Sequence, residues 1–163
     1  MKIGISGTQG VGKSFLLFQL ADQYKLDYPD KEVTVVTETA RKCPMEINEF
    51  ASVEAQQWMF ANQIQREIEA ENNCDIVICD RTLADYMAYI KYQYENLFYK
   101  LLPFLDYHIS SYDRIIYKEL KPEENYLIDD GKRSINRDFQ ERIDIILRGI
   151  YEDLINVKKF ETV

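Results

Sequence analysis

The feature that most constrains the fold is a glycine-rich segment at residues 7–14, which reads GTQGVGKS. It fits the pattern G-x-x-x-x-G-K-[ST], and it separates a short apolar run, Lys2–Ser6, from helical periodicity that begins at Lys13. Glycines let successive backbone N–H groups curl toward one point, and the N-terminus of the following helix favours negative charge. The segment therefore predicts a loop that holds the phosphates of ATP. Its candidate ligands are Gly7, Thr8, Gln9, Gly10, Val11, Gly12, Lys13 and Ser14.

Apolar runs and helical spacing alternate along the rest of the chain. Runs of strand length occupy residues 2–6, 32–37, 75–79 and 114–118, and residues 157–163 are a candidate edge strand. Helical spacing fills residues 13–26, 52–72 and 136–154, and a further helix starts at a capping box formed by Thr82 and Asp85. We expect Pro103 to interrupt or end that helix. The alternation predicts one α/β domain over residues 1–163, with a parallel sheet flanked by helices.

Charged residues follow two of the predicted strands. Glu38 and Arg41 come after the second strand, and Asp80 and Arg81 end the third. Ligands of parallel α/β sheets bind at the carboxyl ends of the strands, so these side chains are expected beside the phosphate loop. We assign Glu38 as a candidate general base and Asp80, with Ser14, as a candidate Mg²⁺ ligand, while a polar strand end without catalytic role is the alternative for either acid.

A polar, basic turn at residues 129–137 precedes the last predicted helix, and we interpret residues from about 120 to 137 as a lid. Arg133 and Arg137 are the candidates for stabilising charge on the transferred phosphoryl group. Arg142, further along the helix, is assigned to a solvated or salt-bridged position.

Charge and cysteine content exclude several classes of protein. A net charge of -8 disfavours a binder of nucleic-acid polymers, because such proteins need a basic face. No run approaches the length of a membrane span, and Cys43, Cys74 and Cys79 lack the spacing of a zinc site or a disulfide framework. We expect a cytoplasmic protein with reduced thiols, and the sequence leaves a homodimer open.

The set GTQGVGKS, TETAR, CDR and DGKR resembles the nucleoside-kinase-like P-loop proteins, especially the AAA-type ATPase-like domains similar to ribosylnicotinamide kinase. The resemblance covers nearly the whole chain. It implies a five-stranded parallel sheet in the order 2-3-1-4-5, ATP as donor, and a small phosphate acceptor that often carries a ribose or a phosphate.

On the acceptor side, the segment WMFANQ at residues 58–63 is similar to the W-x-F-x-F-Q segment with which deoxynucleoside kinases stack and read a base. The resemblance makes Gln63 a candidate base contact, although Trp58 and Phe60 are equally consistent with core residues. Arg41, Arg81 and Asp85 complete the candidate substrate contacts.

Three classes of function fit these residues. The first is an ATP- and Mg²⁺-dependent kinase that transfers the γ-phosphate to a nucleoside, nucleotide or related metabolite. The second is a regulatory P-loop ATPase or nucleotide-binding switch without a small-molecule acceptor, and a binding module without turnover is a third option. The sequence has no N-K-x-D motif, which disfavours a GTPase, and it is too short for the helical lid of an oligomeric AAA+ motor.

Overall fold

Five short strands form one parallel sheet in the computed structural model, which describes residues 1–121, 134–154 and 160–163. The strands are β1 (Lys2–Ser6), β2 (Val33–Val36), β3 (Ile76–Asp80), β4 (Arg114–Tyr117) and β5 (Phe160–Thr162). Their order is β2-β3-β1-β4-β5, and every neighbouring pair is parallel. The order 2-3-1-4-5 and the edge strand at the C-terminal end are thereby confirmed.

Helices cover both faces of this sheet. They are α1 (Lys13–Asp27), α2 (Val53–Asn73), α3 (Leu83–Gln93), α4 (Glu95–Ile109) and α5 (Arg137–Asp153), with short 3-10 helices at Ala40–Lys42 and Asn48–Phe50. Ser52 and Asn136 cap α2 and α5 by accepting hydrogen bonds from backbone N–H groups three residues on. The predicted capping box is present at the start of α3.

The expected effect of Pro103 is wrong. The helical conformation is interrupted at Tyr94, whose φ of -140° separates α3 from α4. Pro103 lies inside α4. The Tyr94 N–H still closes the last turn of α3 by donating to the Ile90 carbonyl at 2.7 Å. The Tyr94 hydroxyl donates to the Ala51 carbonyl at 2.8 Å, which anchors this residue outside the helix. Tertiary anchoring of Tyr94 therefore sets the turn, and a proline in α4 costs one backbone hydrogen bond without ending the helix.

Alternate residues of the strands enter two separate cores. Ile76 and Ile78 pack with Leu17 of α1 on one face, whereas Val77 and Cys79 pack on the other face with residues of α2, α3, α4 and α5. Both faces are apolar, as expected for a parallel sheet buried on both sides.

Gly4 lies at the centre of β1 and faces the larger core. A Cβ atom built at this position would overlap the Thr82 methyl group and would lie 3.0 Å from a ring carbon of Tyr112. The absence of a side chain at Gly4 therefore lets the start of α3 approach the sheet closely. None of the helices in the described part of the chain is long and apolar enough to cross a membrane.

Candidate active site

The sheet order brings the predicted functional residues to one edge. β1 lies between β3 and β4, and β2 lies beyond β3, so the carboxyl ends of β1, β2 and β3 are neighbours. In the register of the sheet Ile5 pairs with Asp80, and Val36 pairs with Cys79. The phosphate loop therefore lies close to Glu38 and to the end of β3 at Asp80, as the sequence predicts.

The phosphate loop owes its shape to glycines in the left-handed region. The φ angles of Gly7, Gly10 and Gly12 are 141°, 77° and 84°. A Cβ atom at Gly7 would also lie 2.5 Å from the carbonyl oxygen of Lys118, so this position combines a positive φ with a close backbone approach. The Thr8 hydroxyl is buried and has no hydrogen-bond partner among the described residues. This cradle and the N-terminus of α1 fit a bound phosphate chain.

Lys13 is buried at the start of α1. Its ammonium group donates to the Gly7 carbonyl at 2.7 Å and to the Thr8 carbonyl. Burial, with the nearby charge of Arg81, lowers the pKa of Lys13 to about 8. The ammonium group thus lies inside the loop, where a phosphate chain would favour its charged form and raise its pKa.

Ser14 and Asp80 form the pair predicted to hold Mg²⁺. The Ser14 hydroxyl donates to Asp80 Oδ2 at 2.8 Å, and Asp80 is buried. In the described part of the chain no group of three or more His, Cys, Asp or Glu side chains could hold a metal by itself. Two hard oxygen donors beside a phosphate loop fit Mg²⁺, which is bound by few protein ligands together with phosphate oxygens and waters.

Glu38 is bracketed by two arginines. Arg81 Nε and Nη2 both lie 2.9 Å from Glu38 Oε1, and Arg41 Nε lies 3.2 Å from Glu38 Oε2. Arg81 is buried, whereas the Arg41 side chain is 43% exposed. The charge-assisted contacts fix the carboxylate of Glu38 in one orientation at the edge of the sheet.

Arg81 has a strained backbone. Its φ of 84° is in the left-handed region, which costs a residue with a side chain roughly 1–2 kcal/mol. Two hydrogen bonds hold it there: the Arg81 N–H donates to the Ile5 carbonyl at 3.0 Å, and Gln63 Nε2 donates to the Arg81 carbonyl at 3.3 Å. The turn directs the guanidinium of Arg81 toward Glu38 immediately after β3 ends.

Asp85 connects α3 to the phosphate loop. Its Oδ2 accepts hydrogen bonds from the Thr82 N–H at 2.8 Å and the Thr82 hydroxyl at 2.9 Å, and its Oδ1 accepts one from the Gly7 N–H at 3.0 Å. Asp85 is fully buried and is not among the residues that line the adjacent cleft. The structure therefore places this predicted substrate contact behind the loop, where it anchors Gly7.

A cleft opens beside Glu38 and the phosphate loop. Its polar lining consists of Gln9, Glu38, Arg41, Asn48, Gln56 and Arg81. Its apolar and aromatic lining consists of Ala40, Ile47, Met59, Tyr86 and Tyr89. A pocket with apolar walls and a few convergent polar groups is typical of a small-molecule site.

Gln9 joins the phosphate loop to this cleft. Its Oε1 accepts a hydrogen bond from the Tyr89 hydroxyl at 2.8 Å, and its backbone carbonyl accepts one from Gln140 Nε2 at 2.5 Å. Gln9 Nε2 is buried and has no partner in the part of the chain that the structure describes. A donor is thus available between the loop and the cleft.

Gln63 lies away from the cleft and is fully buried. Its Oε1 accepts hydrogen bonds from the Thr39 hydroxyl at 2.8 Å and the Tyr86 hydroxyl at 3.3 Å. Its Nε2 donates to Glu67 Oε1 at 2.6 Å as well as to the Arg81 carbonyl. With both ends of the amide occupied by protein groups, Gln63 supports the cleft from behind, and the geometry does not favour a direct base contact.

Of the two predicted lid arginines, the structure describes only Arg137. Arg133 and most of the predicted lid lie outside the described residues. Arg137 begins α5, is half-exposed and forms an ion pair with Glu141 at 3.0 Å. It does not belong to the described lining of the cleft.

Sequence reasoning missed part of the cleft wall. Asn48 and Ile47 come from the loop before α2, and Gln56 and Met59 come from its first turns. No motif marks these positions, because their role depends on how α2 lies against the edge of the sheet. Tyr89 also lines the cleft. Helical spacing places Tyr86, Ile90, Tyr94 and Leu97 on one packing side and leaves Tyr89 outside it, so the sequence does offer a signal for this residue.

Comparisons with known proteins place the chain in a family. A family model described as AAA domain matches residues 2–160. None of the curated proteins matches the sequence significantly. The match to the family model confirms the resemblance to AAA-type ATPase-like domains, and solved structures of nucleoside and nucleotide kinases share the fold.

Three of those structures illustrate the likeness. Deoxyadenosine kinase from M. mycoides, solved with products dCMP and a flexible dCDP bound, superposes with a TM-score of 0.73 at 19% identity, covering 100% of this chain and 90% of that chain. Thymidylate kinase from Ehrlichia chaffeensis gives a TM-score of 0.73 at 18% identity, covering 100% of this chain and 91% of that chain. Thymidylate kinase from Candida albicans gives 0.70 at 16% identity, covering 99% of this chain and 82% of that chain. The chain therefore belongs to the AAA domain family, and it has the fold of the P-loop nucleoside and nucleotide kinases.

Proposed function

We propose that this protein is a kinase that uses Mg²⁺ and ATP to phosphorylate a hydroxyl group of a nucleoside, a nucleotide or a related small metabolite. The observation that carries the proposal is the position of Glu38. Its carboxylate is fixed by Arg81 and Arg41, and it lines a cleft that also borders the phosphate loop at Gln9. A regulatory ATPase needs no such acceptor cleft.

In the proposed reaction the cleft holds the acceptor with a hydroxyl group next to Glu38. The hydroxyl oxygen forms a bond to the γ-phosphorus, the bond from that phosphorus to the β,γ-bridging oxygen breaks, and ADP leaves. The hydroxyl proton passes to the carboxylate of Glu38, which the two arginines keep oriented. Such a positioned base contributes about 10²- to 10⁴-fold to the rate.

The residues around the phosphate loop bind the phosphates of ATP and the metal ion in this proposal. Lys13 and the backbone N–H groups of the loop bind the phosphate chain, and Ser14 with Asp80 would hold Mg²⁺. When bound, Mg²⁺ supplies positive charge to the β- and γ-phosphate oxygens. Arg133 and Arg137 remain our proposal for closing over the γ-phosphate.

A phosphorylation assay tests the proposal. We would incubate the protein with Mg²⁺, ATP and a panel of nucleosides, nucleoside monophosphates and nicotinamide riboside, and measure ADP release and the mass of the product. The expected result is ADP release that depends on one or more acceptors. Lys13→Ala should abolish it, and Glu38→Gln should lower kcat by about 10²- to 10⁴-fold while ATP binding is retained.

The same assay separates the alternatives. ATP hydrolysis that no acceptor stimulates, with no phosphorylated product, would favour the regulatory ATPase. ATP binding without any turnover would favour a nucleotide-binding module. Either result would contradict the kinase assignment.

A further inference from the structure

We propose that Gln56 selects acceptors that present a hydrogen-bond donor on the edge of their base or ring. The proposal rests on the proposed function, because it assigns the specificity of the same acceptor cleft. Gln56 is fully buried in the second turn of α2 and lines the cleft. Its Oε1 is buried and lacks a hydrogen-bond partner among the residues that the structure describes.

The orientation of Gln56 begins with its neighbour Gln93, at the end of α3. Gln93 Nε2 donates to the backbone carbonyls of Asn48 at 2.8 Å and Glu49 at 2.9 Å. A carbonyl oxygen only accepts hydrogen bonds, so the NH₂ end of Gln93 must face these two groups. The other end of the Gln93 amide, its Oε1, therefore faces Gln56.

The same argument then fixes Gln56. Gln93 Oε1 also only accepts, and it lies 2.5 Å from Gln56 Nε2, so the NH₂ end of Gln56 must face Gln93. A flipped Gln56 amide would place two oxygens against each other. The Gln56 atom left for a ligand in the cleft is therefore the acceptor Oε1.

The rest of this part of the cleft suits a flat ring. Ile47, Met59 and Tyr86 supply apolar and aromatic surface beside Gln56. A ring edge with an N–H group would pair with the buried oxygen, whereas an edge that carries only acceptors would leave two acceptors facing each other. A site built to bind an N–H group discriminates strongly against a ligand that lacks it, because the buried partner is left unpaired.

Gln63 provides the structural contrast within the same helix. It lies seven residues from Gln56 and is equally buried, yet both ends of its amide contact protein groups. Of these two glutamines, only Gln56 has a buried amide atom for which the described residues provide no partner. The base-reading role expected for Gln63 is thus better supplied by Gln56.

Binding of matched ligand pairs tests the inference without turnover. Calorimetry would compare adenosine with purine riboside, cytidine with pyrimidin-2-one riboside, nicotinamide riboside with 3-acetylpyridine riboside, and inosine with 1-methylinosine. In each pair the second compound lacks the donor of the first. For pairs that bind, the donor-bearing compound should bind about 5- to 100-fold more tightly.

Three variants show whether Gln56 causes the difference. Gln56→Met keeps an unbranched side chain but removes the acceptor, so the affinity ratio of each pair should fall toward one. Gln93→Met frees the Gln56 amide to rotate and should lower the ratio as well. Gln57→Met, at the exposed neighbouring position of α2, is the control and should show the same affinity ratios as the unmodified protein.

The outcomes are distinct from those of the phosphorylation assay. An affinity ratio near one in the unmodified protein, an unchanged ratio in Gln56→Met, or the absence of binding by every donor-bearing compound would each overturn the inference. Binding with the expected ratios but without phosphoryl transfer would support the role of Gln56 and contradict only the kinase reaction. Thermal unfolding of each variant would verify that it is folded.

Discussion

Lys13 combines a buried position with a lowered pKa. Its ammonium group contacts the carbonyls of Gly7 and Thr8 within the loop, and burial lowers its pKa to about 8. A polyanion placed in the loop favours the charged form of the amine and must raise that pKa. Nucleotide binding and protonation of Lys13 are therefore linked.

We predict that the protein takes up protons when it binds a nonhydrolysable ATP analogue at pH 9. At that pH most of the free protein has a neutral Lys13, whereas the complex has a charged one, so uptake should approach one proton and fall strongly at pH 7. Calorimetric titrations in two buffers with different ionisation enthalpies measure the uptake. Lys25→Ala, an exposed lysine of α1, serves as the control.

Equal apparent binding enthalpies in the two buffers at pH 9 would contradict this linkage. The affinity of the unmodified protein for the analogue should also decrease as the pH rises through 8, because protonation then has to accompany binding.

Helix α3 connects the fold to the loop through its first turn. Asp85 caps the helix at Thr82 with one oxygen and receives the Gly7 N–H with the other. Each oxygen acts only as an acceptor, so no neutral side chain of the same shape can replace both contacts. The cap of α3 and the geometry of the phosphate loop therefore depend on one carboxylate.

We predict that Asp85→Asn destabilises the protein by about 2 kcal/mol and weakens nucleotide binding. The substitution turns one acceptor into an NH₂ group, which would face the Gly7 N–H or the Thr82 N–H and leave a buried donor unpaired. Chemical denaturation and calorimetry measure the two effects. Asp106→Asn, at an exposed position of α4, should change neither, and an Asp85→Asn variant with unchanged nucleotide affinity would contradict the role in the loop.

The elements also show what the sequence could and could not predict. The phosphate loop was predictable because all of its functional groups are adjacent in the chain, and Glu38, Asp80 and Arg81 were predictable because parallel strand ends share one edge of the sheet. The resemblance to W-x-F-x-F-Q selected Gln63, and helical spacing alone does not distinguish Gln63 from Gln56. They lie seven residues apart, about two turns, on the same buried face of α2, and only the position of the helix against the sheet decides which one reaches the cleft.

At the scale of the molecule, a buried charged cluster occupies the end of the sheet opposite the active site. Lys2 Nζ lies 2.7 Å from Glu67 Oε2, and both side chains are almost completely buried. Glu67 also accepts hydrogen bonds from the Tyr112 hydroxyl at 2.7 Å and lies 2.8 Å from His108 Nε2. The cluster joins β1, α2 and α4, and it places the sole histidine in a structural environment.

Burial opposes ionisation of Glu67, yet His108 and Lys2 together hold the pKa of its carboxyl below the ordinary value. A carboxyl whose pKa is lower in the folded protein than in the unfolded chain stabilises the folded protein at every pH above its unfolded pKa. That stabilisation is lost as the pH falls through the lower folded value.

We predict that Glu67→Gln lowers the free energy of unfolding by about 3 kcal/mol at pH 7, because Lys2 is left buried without its closest counter-charge. The difference from the unmodified protein should shrink as the solution is acidified below the ordinary pKa of a glutamate. Urea denaturation across that pH range provides the measurement. Glu69→Gln, exposed on the same helix, is the matched control, and a pH-independent difference would rule out the proposed origin.

The close contact between Gly4 and Thr82 limits which residues position 4 can accept. A Cβ atom at position 4 would overlap Thr82. Thr82 follows Arg81 directly and precedes by three residues Asp85, which anchors Gly7. The Thr82 hydroxyl is held by Asp85, so we expect even an alanine at position 4 to displace the first turn of α3 and, through Asp85, the phosphate loop. Residue 4 itself does not line the cleft. We therefore expect position 4 to tolerate few substitutions, and random mutagenesis under selection for activity should recover glycine there.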